Sequence, residues 1–438
     1  MPRLLRTAVI ALVVCFGPAA SARADPPWSA PARAPGSQPV FSASPLLGLS
    51  GPDGLLLDLR TEEPSSAFAP LDPAGVPGLI KTDGGYVRPA AVAGSRAIFF
   101  RPDGIPTTRP DIGRLRLVVS GQGERLPDGQ AFGSQALRLS AAVDGAPSGT
   151  AVAAFTDGRR ISLTRLEPRA RRFGRSLRVA NRSGVREVAV ATNGRDAFVA
   201  WHRRGAVEGV FVYASGRVGA VRRLGSARAA RELSLDVSGR RRVIAGWVDG
   251  NRIVTAVRSS AGFQPARTLE THRAGATIGG AGIRVAMTDG GFLAVWQGAT
   301  AVRAAGLADA DGTFATPQDL APLPAELRDL GVGLHDLDVG FGNAALVSIV
   351  TAEGAVAAAV RLVHGSRFGP PEIVAGPSLR PPVGLPSVGG LKTLTTGLTG
   401  LDAAFDESLP APGASRWVLG WAAADDDGAY VATREADR

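Results

Sequence analysis

The chain has 438 residues, of which 45% are hydrophobic and 6% aromatic, and it carries a formal net charge of +10 at pH 7. This hydrophobic fraction is enough to fill a large core, so the composition excludes a globally disordered chain. Glycine (56 residues) and proline (32 residues) are abundant, which favours many short strands joined by tight turns over long helices.

The first 24 residues have the three parts of a secretory signal peptide. Arg3 and Arg6 give a positive start, residues 8–17 are a short apolar segment, and residues 22–24 form a small-x-small cleavage site. The apolar segment is much shorter than the roughly 20 residues that a membrane-spanning helix needs. We therefore predict a secreted or extracytoplasmic protein with no membrane span. Cleavage after residue 24 removes three arginines, which lowers the net charge from +10 to +7, and also removes Cys15.

Residues 25–35 are rich in proline and predict an extended tether, followed by a single domain over residues 36–438. The stretch 188–224 shows the pattern of that domain most clearly. It contains an alternating strand, an Asn-Gly turn, an apolar strand ending at Trp201, an aliphatic strand, and Val218 followed six residues later by Leu224. Such a pattern predicts one four-stranded antiparallel unit.

Near-copies of this unit recur along the chain with a period near 46 residues and with insertions. A bulky residue ends the predicted second strand of six copies, at Phe100, Phe155, Trp201, Trp247, Trp296 and Trp421, and Ser348 takes this position in the remaining copy. Four short strands per unit of about 40–50 residues resemble the blades of β-propellers. The resemblance implies an all-β fold, for which we predict seven four-stranded blades with the aromatic residues packed between neighbouring blades.

The last unit lacks a fourth strand of its own, because the chain stops soon after its third strand. Residues 36–47 carry the six-residue spacing of a fourth strand, at Phe41 and Leu47. We predict that this N-terminal segment pairs with the last blade and closes the ring, which leaves no open sheet edge between the chain ends.

The first blade has two possible beginnings. Its innermost strand is either residues 55–59 (LLLDL) or residues 86–92, in which case LLLDL is an extra element. Three segments rich in glycine and proline predict irregular surface loops, namely residues 61–85, 102–113 and 375–390.

Motifs that would indicate catalysis are missing from the sequence. It contains no HExxH, no cysteine pair, no GxSxG and no phosphate-binding GxxxxGK, and its four histidines are scattered. The Asp box of sialidase-like propellers and the WD40 signature are also missing, so the resemblance implies no functional residue. We predict no catalytic residue, no metal site and no cofactor. The Asp-rich run before Gly428 favours a hairpin turn over a calcium loop.

Charge is distributed unevenly along the chain. Residues 159–242 contain 21 arginines and six acidic residues, a net charge of +15, whereas residues 302–362 and 401–438 each have a net charge of −5. This predicts a basic sector in blades two to four and an acidic sector in blades five to seven. A basic sector favours binding to an acidic protein or to an anionic envelope or extracellular polymer. Nucleic acid is not expected, because a basic-aromatic platform for stacking bases is not evident.

Ligands of propellers usually bind where the loops between second and third strands meet at one mouth of the axis. Those loops supply the predicted ligand-binding residues Arg159, His202, Arg203, Arg204, Asp249, Arg252, Asp425 and Asp426. We predict a non-enzymatic binding or scaffolding propeller whose basic sector contacts an acidic partner. The alternative is a glycan-active hydrolase or lyase, which requires carboxylates about 5–10 Å apart in a deep pocket at the axial mouth.

Overall fold

The computed structural model describes residues 27–33, 48–49, 55–60, 66–70, 81–83, 88–93, 96–102, 113–121, 130–136, 140–259, 262–273, 282–289, 291–308, 312–323, 333–340, 342–351, 354–362, 366–376, 398–406, 416–423 and 428–436. The regular elements in these ranges are all β-strands, which confirms the all-β prediction. Over the same ranges, no helix has the length and apolarity to cross a membrane. The predicted signal peptide lies outside the described residues.

The described strands form eight antiparallel sheets, numbered here in chain order, and the first strand, β1 (Ala32–Arg33), belongs to the last of them. Sheet 1 contains β2 (Gly48–Leu49), β3 (Leu55–Arg60), β4 (Ser66–Pro70) and β5 (Lys81–Asp83). Sheet 2 contains β6 (Arg88–Ala93), β7 (Arg96–Pro102), β8 (Gly113–Gly121) and β9 (Gln130–Ala136). Sheet 3 contains β10 (Ser140–Gly145), β11 (Ala151–Thr156), β12 (Arg160–Leu166) and β13 (Leu177–Asn181).

Sheets 4 to 8 continue the same arrangement. Sheet 4 contains β14 (Val185–Thr192), β15 (Ala197–Arg203), β16 (Gly205–Val212) and β17 (Arg222–Ala227). Sheet 5 contains β18 (Ala230–Val237), β19 (Val243–Asp249), β20 (Arg252–Ser259), β21 (Gly262–Phe263) and β22 (Arg267–Thr271). Sheet 6 contains β23 (Ile283–Thr288), β24 (Gly291–Gln297), β25 (Ala301–Leu307) and β26 (Gln318–Pro322). Sheet 7 contains β27 (Gly333–Val339), β28 (Ala345–Val350), β29 (Val356–Arg361) and β30 (Glu372–Ala375). Sheet 8 contains β31 (Leu398–Asp406), β32 (Arg416–Ala423) and β33 (Gly428–Glu435), with β1 as its outer strand.

Consecutive sheets meet through their first strands. The first strands of sheets 2 to 8 contact one another in order, and β2 of sheet 1 contacts both β6 and β31. This is the arrangement of propeller blades, in which the first strand of each sheet lies nearest the common axis. The described residues therefore form eight sheets where the sequence predicted seven blades.

The additional sheet comes from residues 48–83. The sequence assigned residues 61–85 to an irregular loop, but this segment contains β4 and β5, and the LLLDL run is β3, the second strand of sheet 1. Of the two possible beginnings of the first repeat, the one near residue 86 is the first strand of the Phe100 sheet, since β6 pairs with β7. The sequence did not predict sheet 1 because β3, its second strand, does not end in an aromatic residue as the second strands of most other sheets do.

The outer strand of sheet 8 is supplied by an earlier segment than predicted. Ala32 and Arg33 pair with Val431 and Tyr430, and the Ser29 amide donates to the Thr433 carbonyl oxygen at 2.7 Å. Residues predicted to be a tether thus pair with β33 as the outer strand of sheet 8, and the Trp28 side chain packs against the core beside this sheet. The predicted donor, residues 36–47, lies outside the described residues.

Tryptophans near the ends of second strands fill the spaces between sheets, as predicted. Trp201 of β15 clusters with Val152 and Ile161 of sheet 3, and Trp296 of β24 clusters with Ile244 and Ile253 of sheet 5. Each indole is at most 1% exposed. Burial of this large aromatic surface, together with the aliphatic residues around it, stabilises the contact between neighbouring sheets.

Polar side chains of the first strands also join neighbouring sheets. Ser140 and Asp144 of β10 accept hydrogen bonds from the amides of Val188 and Thr192 in β14, at 3.0 and 2.6 Å. Ser234 and Asp236 of β18 do the same for Val285 and Met287 of β23, at 3.1 and 2.6 Å. In each case a side chain satisfies amides of the next sheet that have no ladder partner on that side.

The strand order places loops on two opposite faces. Turns between second and third strands and connections from one sheet to the next lie on face 1; first-to-second and third-to-fourth connections lie on face 2. In sheets 3 to 5, face 1 is defined here by residues 157–160, 182–184, 203–205, 228–229 and 249–252. Face 2 is defined here in sheets 4 and 5 alone, by residues 193–196, 213–217, 238–242 and 258–259.

Candidate anion-binding surfaces

Asp249, a predicted ligand residue, holds a connection on face 1 in place. Its Oδ1 accepts the amides of Arg228 and Ala229 at 2.9 and 3.0 Å, and its Oδ2 accepts the Arg252 guanidinium. Burial alone raises the pKa of this carboxyl, but these hydrogen bonds outweigh burial and leave the pKa below its ordinary value. With a side chain only 2% exposed, Asp249 is turned away from any ligand.

His202 lies beneath the same face. Its side chain is buried, and neither ring nitrogen has a hydrogen-bond partner among the described residues. Burial and the Arg186 charge lower its pKa, while Asp249 acts in the opposite direction. The structure thus brings His202 and Asp249 into one neighbourhood, but it places the imidazole in the wall between sheets 4 and 5, where it does not reach a surface ligand.

Arg203 belongs to an ion-pair group centred on Glu208. The Glu208 carboxylate accepts Arg203 Nη2 at 3.0 Å, Arg182 Nε at 3.1 Å and Trp201 Nε1 at 3.0 Å. Burial raises the pKa of Glu208, yet the hydrogen bonds from Arg203, Arg182 and Trp201 outweigh it and lower the pKa overall. The carboxylate is 10% exposed while the two arginine side chains are more than a third exposed, so guanidinium lies outermost.

Arg159 and Arg204 are the predicted residues that face solvent most openly. Both are exposed on turns of face 1, and the Arg159 carbonyl oxygen accepts the Arg182 amide at 2.8 Å, which places Arg159 beside the Glu208 group. Asp425 and Asp426 lie outside the described residues. Among the described residues, no group of three histidine, cysteine or acidic side chains has an arrangement suited to a metal ion.

Face 2 carries a basic-aromatic cluster that the sequence analysis did not identify. The guanidiniums of Arg217 and Arg241 lie over the Tyr213 ring, 4.3 and 4.9 Å from its centroid. Arg258 lies 5.2 Å over the neighbouring Phe211 ring and donates to the Arg241 carbonyl oxygen at 2.6 Å. Cation–π contacts of this kind hold guanidiniums in fixed positions at a surface.

Asp196 anchors this cluster from below. Its Oδ2 accepts Arg241 Nε at 2.6 Å and its Oδ1 accepts the Ala214 amide at 3.0 Å, so one carboxylate joins loops of sheets 4 and 5. Burial raises the pKa of Asp196, but the hydrogen bonds from Arg241 and Ala214 outweigh burial and lower the pKa overall. Burial lowers the pKa of Arg258, and the like charge of Arg241 contributes in the same direction.

The two strongest pKa shifts among the acids belong to Asp144 and Asp236, on the first strands. Burial raises the pKa of Asp144 to about 7, with a contribution from the Asp236 charge, and raises that of Asp236 to about 6. Interacting carboxyls near the axis are what the enzyme alternative requires. Each of these carboxyls is, however, occupied by amides of its own strand and of the next sheet. They act as links between sheets.

Two features of face 2, an arginine run and a rare tyrosine, can be seen in the sequence, but their contact in space could not be predicted from it. The run Arg240-Arg241-Arg242 and the rarity of tyrosine, three in the whole chain, are both visible. Tyr213 and Arg241 come from different sheets and are 28 positions apart, so only the stacking of sheet 5 on sheet 4 brings them together. On face 1, Arg182 and Glu208 were missed for the same reason.

The structural role of Asp249 can be tested by substitution. We expect Asp249→Ala to lower the free energy of unfolding by about 1–3 kcal/mol, because two amides and Arg252 lose their acceptor. Asp249→Asn keeps one oxygen acceptor and should cost less. The urea midpoint measures both changes. If the substitution weakened the affinity for anionic polymers and left the stability unchanged, the structural role would be contradicted and Asp249 would be assigned to the ligand site.

Comparison with known proteins supports the fold. No family model and no curated protein matches the chain. Among solved structures, it is similar to the BP39L lectin from Burkholderia pseudomallei, with a TM-score of 0.50 and 15% identity over 80% of this chain and 99% of that chain. It is also similar to the six-bladed β-propeller lectin of Aleuria aurantia, with a TM-score of 0.38 and 12% identity over 67% of this chain and 97% of that chain.

A third likeness is to a prolyl endopeptidase, with a TM-score of 0.45 and 12% identity over 88% of this chain. The match spans 54% of that chain, about half of its length. At these identities the likenesses concern the fold alone. Four-stranded antiparallel sheets whose first strands contact one another in order confirm the predicted fold class, and the BP39L lectin is a structural neighbour of this fold.

Proposed function

We propose that the protein binds anionic polysaccharides through the arginines of face 1 on sheets 3 to 5. One observation carries the proposal: the segments that define this surface contain seven arginines and two aspartates. Asp249 and Glu208, which pairs with two of these arginines, have side chains only 2% and 10% exposed, and Asp157 already accepts the amides of Arg159 and Arg160 at 2.9 and 2.7 Å. A ligand approaching face 1 therefore meets mainly guanidinium groups.

Guanidinium forks bind the oxygens of sulfate and carboxylate groups in pairs, which makes arginine suited to oxyanions. The arginines come from three consecutive sheets, so a ligand with charges repeated along a chain engages more of them than a compact ligand does. The likeness to the BP39L lectin concerns only the fold, but it makes saccharides the natural first class of anionic polymer to test. Acidic proteins are the competing partner.

The experiment compares polymers that share a backbone and differ in charge. Dextran sulfate, carboxymethyl-dextran and unmodified dextran are titrated into the intact protein by calorimetry at several salt concentrations. We expect the two charged dextrans to bind, with an affinity that falls steeply as salt rises because bound counterions are released. The stronger of the two identifies the preferred oxyanion. Binding of neutral dextran at equal strength, or tighter binding of polyglutamate than of either charged dextran, would overturn the proposal.

A paired substitution locates the surface. Arg159→Gln with Arg204→Gln removes two exposed charges from face 1, and we expect about a tenfold or greater loss of affinity for dextran sulfate. The control, Arg178→Gln with Arg222→Gln, removes the same net charge from exposed positions on the outer strands of sheets 3 and 4. It should change the affinity less than about twofold. Equal losses in both variants would show that net charge alone, and not face 1, attracts the polymer.

A further inference from the structure

We infer that face 2 carries a second anion-binding site, centred on Tyr213, and that the protein can therefore bridge two anionic polysaccharide chains. This inference rests on the proposed function of face 1, and adds a separate site and a cross-linking activity to it. The segments that define face 2 contain six arginines and one aspartate.

The single acid of the cluster is not available to neutralise this surface. Asp196 is 5% exposed on its side chain, and both carboxylate oxygens are engaged, by Arg241 and by the Ala214 amide. Arg195, Arg217 and Arg240 are exposed residues on the surrounding loops. Gathering like charges raises the electrostatic energy of the folded protein, and an external oxyanion is the ligand that relieves it.

The backbone at Arg241 also points to a held geometry. Arg241 has a φ of 60°, a left-handed conformation that side chains other than glycine and asparagine rarely adopt. This conformation is fixed by a tight turn in which the Arg241 amide donates to the Ser238 carbonyl oxygen at 2.9 Å. The turn directs the guanidinium over Tyr213 and onto Asp196. Unfavourable backbone conformations persist where the surrounding structure imposes them, often at binding sites.

The chemistry of the cluster selects an oxyanion over a nucleobase. Proteins that bind single-stranded nucleic acids offer open aromatic faces on which bases stack. At Tyr213, two guanidiniums already lie over the ring, and Phe211 packs against it with centroids 6.4 Å apart and an interplanar angle of 18°. What remains for a ligand is the set of guanidinium N–H groups, which suits sulfate or carboxylate.

The two faces are too far apart to act as one site. They lie at opposite ends of the strands of sheet 4, and β15, with seven residues, separates them by roughly 20 Å at about 3.3 Å per residue. A short anionic oligosaccharide therefore occupies one face at a time. A long polymer bound at one face leaves the other open to a second chain, so mixtures of protein and polymer should form networks.

Stoichiometry and light scattering test the inference. A sulfated dextran oligosaccharide too short to span the two faces is titrated calorimetrically into the intact protein, and we expect two bound per protein. Long dextran sulfate should cause scattering that peaks at an intermediate ratio and falls again when polymer is in excess. The face 2 variant, Arg195→Gln with Arg217→Gln, should bind one oligosaccharide and lose most of the scattering.

Two matched variants separate the possible failures. Arg159→Gln with Arg204→Gln should also bind one oligosaccharide, and the Arg178→Gln with Arg222→Gln control should bind two. One bound oligosaccharide in the wild type, unaffected by the face 2 substitutions, overturns this inference and leaves the proposed function intact. Two bound oligosaccharides in the face 2 variant would likewise overturn the assignment to Tyr213. Absence of binding in every protein would overturn the proposed function itself.

Discussion

Replacing Trp247 with alanine is expected to lower the free energy of unfolding by about 3–5 kcal/mol, the usual cost of removing a large buried aromatic side chain. The indole is fully buried and clusters with Phe198 and Leu224 of sheet 4. It also packs on Gly225, where an added Cβ would lie 2.7 Å from the ring. The backbone on both sides is held in hydrogen-bonded sheets, so the cavity cannot collapse. A shift in urea midpoint no larger than that of Arg178→Gln would contradict this role.

A matched pair of phenylalanine substitutions separates packing from hydrogen bonding. Trp296 and Trp247 are equally buried, but Trp296 Nε1 donates to Glu270 at 2.7 Å, whereas Trp247 Nε1 has no partner among the described residues. Trp296→Phe should therefore cost about 1–2 kcal/mol more than Trp247→Phe. Equal costs would show that the indole–carboxylate bond adds nothing to the stability of the sheet interface.

Stability should also fall as the pH rises from about 4 to about 7, because of Asp144 and Asp236. Their pKa values in the folded protein, about 7 and about 6, exceed the ordinary carboxyl value near 4. Between those limits the folded protein binds more protons than the unfolded chain, so raising the pH favours unfolding. The expected loss is on the order of 2–4 kcal/mol per carboxyl across this window.

The measurement compares unfolding at about pH 5 and pH 8 for the wild type, Asp144→Asn and Asp236→Asn. Asparagine keeps an oxygen that can accept the amide of Thr192 or Met287, but it does not ionise. Each variant should gain stability relative to the wild type as the pH rises. The comparison cancels other titrating groups, including His202, whose lowered pKa acts with the opposite sign. Parallel pH profiles for all three proteins would contradict the burial of these charges.

Much of the fold could be predicted from the sequence because most repeats carry their own local pattern of turns, apolar strands and aromatic residues. The apolar run ending at Trp201 lies in β15, the Asn193-Gly194 turn precedes this strand, and the spacing to Trp247 and Trp296 marks the same strand in the next two sheets. Sheet 1 was not predicted because its second strand, LLLDLR, does not end in an aromatic residue. No local pattern in this strand indicates that it pairs with β4. The pairing of Ala32 with Val431 joins residues that the sequence places at opposite ends of the chain.

The candidate sites divide in the same way. Composition alone located the basic sector, since 21 arginines between residues 159 and 242 are a property of the chain whatever its fold. Whether a given charge faces a ligand depends on its neighbours. Asp249 and His202 are buried, while Arg159 and Arg204 stay exposed, although all four lie at or beside second-to-third-strand turns.

The sequence by itself determined the four-stranded repeat, the aromatic residues between sheets and the region of excess positive charge, because these follow from side-chain periodicity and composition. Tertiary structure alone decided which segment pairs with β33, which carboxylates are consumed by amides and guanidiniums, and that Arg217 and Arg241 meet over Tyr213. Those outcomes depend on distances between residues far apart in the chain, which are set only when neighbouring sheets pack.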